Sequence, residues 1–231
     1  MTSLSEYYEE NPYPLQNGVL RTVENCKTRF YLTGGTALSR VYYKHRYSDD
    51  LDFFVNSDPD FDDQIDTILA KLREEGFFWS DSEKFVKAPA FRSLEIRWNK
   101  SDTKLKLDFV NDSTPHFGDF VSDDLFNRVD PVHNILSNKF GAIFRFAGKD
   151  VADIREIALN ETVNWAEIIH EARQKDAGVE LLFIADILKG IPRHEFENLH
   201  WIKNPLWETF KKDIDKIAFE MISLSKENSV L

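Results

Sequence analysis

The run YLTGGTALSRVYYKHRYSDDLDFFV, residues 31–55, sets two glycines ahead of a short helical segment, then His45-Arg46, then carboxylates alternating with large apolar residues. Successive side chains on a strand point to opposite faces, so Asp50 and Asp52 share one face and Leu51 and Phe53 the other. The apolar pair marks its own face as core. Asp49 is out of phase with Asp50 and Asp52 and reads as a solvated neighbour. The alternation recurs in KLKLDFV, residues 104–110, where Asp108 stands opposite in phase to Leu107 and Phe109. If these two strands pair, three carboxylates converge. Close negative charges raise one another's pKa unless a cation is present. A hard divalent ion held through carboxylate oxygens resolves this, with Mg²⁺ the first choice and Mn²⁺ the alternative. The plainer reading of an Asp-x-Asp strand is a solvated face.

Gly34-Gly35 lets backbone N–H groups approach a ligand closely, and a helix start just beyond would attract phosphate. The Thr36 hydroxyl would cap that helix or touch the phosphate. A tight turn with a Thr cap is the plainer alternative.

Outward from this run, residues 14–28 read as a leading helix and 30–32 as a short strand. Thr36–Tyr43 reads as a short helix, 50–55 as the carboxylate strand, and 61–75 as an amphipathic helix ending at Gly76. Three β-like runs follow, 77–87, 91–98 and 104–110, with a hairpin turn at Asn99–Thr103 between the last two. Residues 111–130 are loop-rich. From Pro131 the pattern is helical: 131–146, 150–160, 164–175, 179–189 and 205–225. The fold class expected is therefore α+β, a mixed sheet with flanking helices followed by an all-α region. The boundary falls near 125–130, giving domains 1–127 and 128–231 with a cleft between them.

The 231 residues are 42% hydrophobic with a formal net charge of −11, so this is a globular chain that does not coat nucleic acid with its whole surface. A lone Cys26 excludes an intrachain disulfide and a cysteine zinc cluster. The acidic start MTSLSEYYEENP lacks the apolar core of a secretory signal. No apolar run approaches the roughly 20 residues of a membrane span. These features predict a cytoplasmic protein without membrane contact.

Taken together, Gly-Gly-Thr-Ala-Leu, His45-Arg46-x-Ser48, Asp50-Leu51-Asp52-Phe53 and the later Asp108 resemble the AbiEii/AbiGii-type nucleotidyltransferases of the DNA polymerase β-like superfamily. That family's downstream lysine, arginine and Lys-Asp-x-x-Asp motif matches NKFGAIFRFAGKDVADI at Lys139, Arg145, Lys149, Asp150 and Asp153. The resemblance implies a nucleotidyltransferase-like fold and metal-dependent transfer of a nucleoside monophosphate from a nucleoside triphosphate. It also implies a toxin of a type IV toxin–antitoxin pair, with a cognate antitoxin as partner and the acceptor end of tRNA as one target. On this resemblance Asp50, Asp52 and Asp108 are the metal ligands, with Asp108 alternatively the base. Those three acids and Lys139 form the catalytic set. Nucleotide or phosphate binding is carried to Gly34, Gly35, Thr36, Arg46, Ser48, Lys139, Arg145, Lys149, Asp150 and Asp153. Lys139 would reach the β- and γ-phosphates. Arg46 would pair with Asp50 or Asp52, or contact phosphate. Ser48 would brace its turn rather than act as a nucleophile, because no base–orienter pair is visible.

Arg145, Lys149 and Asp153, spaced by four, form one stripe if their helix is continuous; Gly148 argues for a break that starts a new helix at Lys149-Asp150. Arg40, Lys44, Arg46, Lys139, Arg145 and Lys149 would supply a basic lane for RNA. Trp165, Trp201 and Trp207 offer a partner surface or, more plainly, core. Two other readings stand beside nucleotidyl transfer. One is different chemistry on the same fold, a kinase-like phosphoryl transfer or nucleotidylation of a protein or small molecule. The other is a catalytically quiet nucleotide- or partner-binding module.

Overall fold

A computed structural model describes residues 3–80, 85–98 and 102–227. The chain divides into two compact units, one of residues 1–42, 47–114 and 119–130, the other of 43–46, 115–118 and 131–231.

The first unit opens with α1 (Leu4–Glu10) and α2 (Pro12–Asn25). Helix α1 starts at a capping box in which the Ser3 side chain accepts from the Glu6 N–H and the Glu6 carboxylate accepts from the Ser3 N–H. Strand β1 (Tyr31–Thr33) leads into a single turn, α3 (Gly34–Thr36), which continues as a π-helical segment over Ala37–Tyr42. Strand β2 (Asp50–Asn56), helix α4 (Phe61–Glu74) and strands β3 (Phe77–Phe78), β4 (Val86–Ala88), β5 (Phe91–Trp98) and β6 (Leu105–Asp112) complete it. The single β-run expected over 77–87 is thus two short strands, both antiparallel to β5. The first three positions of the hairpin turn expected at Asn99–Thr103 lie outside the described residues.

The sheet order is β1-β2-β6-β5-β3, with β4 also on β5. Strand β2 lies antiparallel to β1 and parallel to β6, so the sheet is mixed. A parallel neighbour needs a long crossover, and the chain supplies α4 and β3–β5 between β2 and β6. Leu51, Phe53, Leu107 and Phe109 are fully buried, and the Phe53 and Phe109 rings stack at 5.4 Å. They hold the sheet face opposite Asp50, Asp52 and Asp108 in the core. Beyond β6, residues 113–130 have only isolated bridges, Val129 pairing with both Leu32 and Val121.

The second unit contains α5 (Val132–Ala142), a 3-10 turn at Ile143–Arg145, α6 (Gly148–Asn160), α7 (Trp165–Lys175), α8 (Leu181–Gly190), α9 (Arg193–Glu197) and α10 (Trp207–Glu227). Helix α5 packs on α6 and α7, and α10 packs on α6 and α8. Phe140 stacks on Trp165, while Trp201 and Trp207 pack on Phe196 and Phe210. The three tryptophans therefore serve packing within this unit. The stripe through Arg145, Lys149 and Asp153 is not one helix: Phe146 adopts a left-handed φ of 56° and α6 begins afresh at Gly148. A side chain at Gly148 would put Cβ 2.6 Å from the Glu195 carbonyl, so only glycine allows α9 this close. Among the described residues no helix is long and apolar enough to cross a membrane.

Candidate active site

The carboxylate face of the first unit is set by strand register. Asp52 on β2 lies directly opposite Thr33 on β1 and Asp108 on β6, and Asp50 lies opposite Lys106. Residues at paired positions project to the same side of a sheet, so Asp50, Asp52, Asp108 and Lys106 share one face. Lys106 Nζ sits 2.5 Å from Asp108 Oδ2, and the Ser93 hydroxyl donates to Asp108 Oδ1 at 2.5 Å. Partial burial lowers the Lys106 pKa, but the Asp108 hydrogen bond and the charges of Asp108, Asp50 and Asp52 outweigh it and raise the ammonium above its usual range. Lys106 thus acts as a local counter-ion to the acidic face.

Gly34 shapes the edge of this face. Its φ is +69°, and a Cβ there would lie 2.6 Å from Asp52 Oδ2. Glycine is required twice, once for the backbone and once for space beside the carboxylate. Gly34→Ala is expected to cost about 1–2 kcal/mol from the left-handed backbone alone, read from urea unfolding, and to push the Asp52 carboxylate aside. Thr36 neither caps a helix nor stands free for phosphate: its hydroxyl is buried and donates to the Asp50 carbonyl. The helix it was expected to cap begins earlier, at Gly34, with Thr33 as N-cap. Thr33 in turn donates its hydroxyl to the fully buried Asp130 carboxylate at 2.5 Å. The Ser48 carbonyl accepts from Gln16 Nε2 at 2.7 Å, which pins the turn before β2. Asp49 is exposed, as its phase predicts, and accepts the Tyr8 hydroxyl at 2.5 Å.

The second unit holds a buried charge cluster. Asp153 is fully buried on α6 and accepts from His45 Nε2 at 2.8 Å and from Arg46 Nε and Nη2 at 2.7 and 2.8 Å. Lys139 on α5 bridges both acids of α6, 2.8 Å from Asp150 and 2.6 Å from Asp153. Arg145 makes a two-pronged contact with Asp150 at 2.5 and 2.7 Å. The lysine, the arginine and the Lys-Asp-x-x-Asp motif therefore converge, with Lys149 half-buried beside them in sequence.

The comparisons with known proteins fit this arrangement. The family described as nucleotidyl transferase AbiEii toxin, type IV TA system, matches residues 19–220, most of the chain. This chain belongs to the AbiEii nucleotidyltransferase toxin family. Among solved structures, JHP933 from Helicobacter pylori is similar at 17% identity and TM-score 0.62, with 94% of each chain covered. The nucleotidyltransferase toxin MenT4 from Mycobacterium tuberculosis is similar at 12% identity and TM-score 0.55, covering 91% of this chain and 82% of that one. At these identities the likeness is one of fold, and it places the mixed sheet and the helical region in a nucleotidyltransferase-like architecture. No curated protein sequence matches.

In this AbiEii-family chain the expected site residues fall into two groups. The expected metal ligands Asp50, Asp52 and Asp108 and the expected phosphate binders Gly34, Gly35, Thr36 and Ser48 belong to the first unit, while Arg46, Lys139, Arg145, Lys149, Asp150 and Asp153 belong to the second. Arg46 pairs with Asp153, and is only 4% exposed. Lys139 is 6% exposed between two carboxylates. Burial removes both from a solvent-facing basic lane. Arg40 is committed to Gln16, Asn17 and the Tyr13 ring.

Burial pushes the Asp153 carboxyl up, but the charges of Arg46 and Lys139 and the bonds from His45 and Arg46 prevail and hold it well below the usual range. Burial also raises the Asp150 carboxyl, and Lys139 and Arg145 more than reverse this. Folded pKa values below the unfolded value of 3.8 mean that this stabilisation is fully present above pH 3.8 and is lost as pH falls through the depressed folded values. Urea unfolding at successive pH values should show an acid limb below that point, flattened in Asp153→Asn.

The acidic face offers the hard oxygen donors that a divalent ion requires, on adjacent strands and with a cation already drawn to them, so the residues fit such a group. Sequence reasoning missed Lys106, Ser93 and Asp130. Lys106 was readable, since KLKLD places it in phase with Asp108. Ser93 and Asp130 carried no signal, because their partners are fixed by register and by the Val129 bridge.

Proposed function

We propose that this chain transfers a nucleoside monophosphate from a nucleoside triphosphate to an acceptor hydroxyl, with the end of a tRNA as first candidate. The observation that carries this reading is the direct pairing of Asp52 with Asp108 on parallel strands, with Asp50 on the same face and side-chain-free Gly34 against Asp52. Asp50, Asp52 and Asp108 would hold Mg²⁺, or Mn²⁺ in its place. Such an ion, when bound, supplies Lewis-acid stabilisation of charge on phosphate oxygens.

The remaining steps are those of the chain. Gly34 leaves room for a triphosphate to approach Asp52. Lys106 is half exposed and paired with Asp108, so its side chain has solvent to swing into. Asp108 would serve as a ligand or would accept the proton of the attacking hydroxyl. The acceptor oxygen bonds to the α-phosphorus, the bond to the β-phosphate oxygen breaks, and pyrophosphate leaves with its electrons. Lys139 would have to abandon two carboxylates in a buried setting to reach phosphate, a costly change. Its role on this reading is to hold Asp150 and Asp153 together. Membership of the family supports a toxin role in the cytoplasm, countered by a cognate antitoxin of a type IV system.

The test combines purified chain, Mg²⁺, total tRNA and each of the four α-³²P-labelled triphosphates in turn. Label on RNA with one triphosphate is the expected result and names the base. Label appearing on protein or on a small molecule instead would overturn the RNA acceptor and keep the transfer. No label on any acceptor would favour the quiet module.

A further inference from the structure

Helices α5 and α7 carry a second set of ligands that the nucleotidyl-transfer reading leaves unused. Glu167 and Glu171 are one turn apart on α7 and so share a stripe. His133 sits in the first turn of α5, which packs on α7. One ligand atom from each of His133, Glu167 and Glu171 lies within 4.8 Å of the other two. Among the described residues this is the set of three drawn so closely, and the sheet carboxylates are not.

A second observation falls on a member of this set. Glu171 is 8% exposed, and only its Oε1 is engaged, 2.6 Å from His133 Nε2. Its Oε2 is sealed from solvent with no hydrogen-bond partner. A buried carboxylate oxygen is rarely left unmatched. An ordinary His–Glu ion pair explains neither the orphaned oxygen nor the approach of Glu167. The nearby ammonium of Lys175, one turn further along α7, is engaged by Asn134, Ser137 and Asn138.

We infer that His133, Glu167 and Glu171 form a binding site for a divalent transition-metal ion, Zn²⁺ first, separate from the carboxylate face of the sheet. One imidazole nitrogen with two carboxylates suits a borderline ion better than Mg²⁺, which prefers oxygen and keeps its waters. Tetrahedral zinc with bonds near 2.0–2.1 Å spaces its ligand atoms about 3.3 Å apart. The His133–Glu171 pair needs only to open from 2.6 Å, and Glu167 to close from no more than 4.8 Å, for that geometry. The ion takes the place of the His133–Glu171 hydrogen bond, and because metal ligation competes with protons for an imidazole nitrogen, binding weakens at acid pH. Exposed Glu167 provides the entry route, and a fourth position stays open to water.

The test titrates metal-stripped full-length chain with ZnCl₂ against a chromophoric chelator, and separately with MgCl₂. One zinc per chain is expected, retained in Asp52→Asn/Asp108→Asn, with millimolar Mg²⁺ failing to displace it. Affinity should fall at least about tenfold in both His133→Gln and Glu167→Gln, changes of the size seen when metal-site groups are lost. Glu167 is exposed, so its variant keeps the fold, which far-UV circular dichroism verifies. No zinc bound, zinc affinity unchanged in both ligand variants, or zinc lost with Asp52 and Asp108 would each overturn the assignment.

Discussion

Replacing Asp52 by Asn is expected to lower nucleotidyl transfer about 10²–10³-fold, the scale of losing one preorganised electrostatic group at a reacting phosphate. Its unfolding midpoint should stay level or rise, because three carboxylates on one face repel one another and the substitution removes one charge. The two readouts together separate a functional residue from a structural one. Asp49→Asn is the matched control: Asp49 is exposed and lies just before β2, with the Tyr8 hydroxyl as hydrogen-bond partner. It should change transfer by no more than a few-fold. Single-turnover incorporation of α-labelled nucleotide, beside thermal unfolding of the same samples, measures both. Equal activity in the Asp52 and Asp49 variants would remove the sheet acids from the chemistry.

Asp153→Ala should do the opposite, destabilising the fold first. Asp153 is fully buried and compensates Arg46, Lys139 and the His45 hydrogen bond at once. Removing one member of a buried ion pair leaves uncompensated charge in low dielectric and costs about 3–5 kcal/mol. Against a typical total of about 5–15 kcal/mol, that is a large share of the stability. Arg145→Ala supplies the contrast. The Arg145 side chain is 52% exposed, so solvent screens its pair with Asp150 and the loss should stay below about 1 kcal/mol. Urea titration followed by tryptophan fluorescence reports both. Comparable losses in the two variants would mean that the cluster is not the buried anchor its geometry indicates.

These two variants also mark where sequence was informative. Strand β2 was readable from the alternation of Asp50, Leu51, Asp52 and Phe53, and so was its likeness to β6, because strand period alone fixes which side chains share a face. Lys139, Arg145, Asp150 and Asp153 were singled out by the family motif, but not their convergence into one cluster. What the motif could not convey was burial. A lysine on a helix looks the same whether it faces water or two carboxylates, and the partners of Asp153 include His45 and Arg46 from far along the chain. For Arg145–Asp153 the glycine at 148 correctly hinted at a break, but the left-handed Phe146 that makes it has no sequence signature. Helix α1 was passed over despite its Ser3/Glu6 capping pair, and α9, five residues after Pro192, is too short for periodicity to reveal. The π-helical run after Gly34 shows the same limit: sequence indicated a helix, not its hydrogen-bond pattern. His133, Glu167 and Glu171 escaped notice because only two of the three share a helix.

The most direct measurement compares α-³²P- and γ-³²P-labelled triphosphate in parallel reactions with purified chain, Mg²⁺ and total tRNA. Transfer of the α-label to RNA, with the γ-label recovered in pyrophosphate and neither seen with Asp52→Asn, is the predicted result. Transfer of the γ-label to an acceptor while the α-label stays on free nucleotide would contradict it and make the chain a kinase.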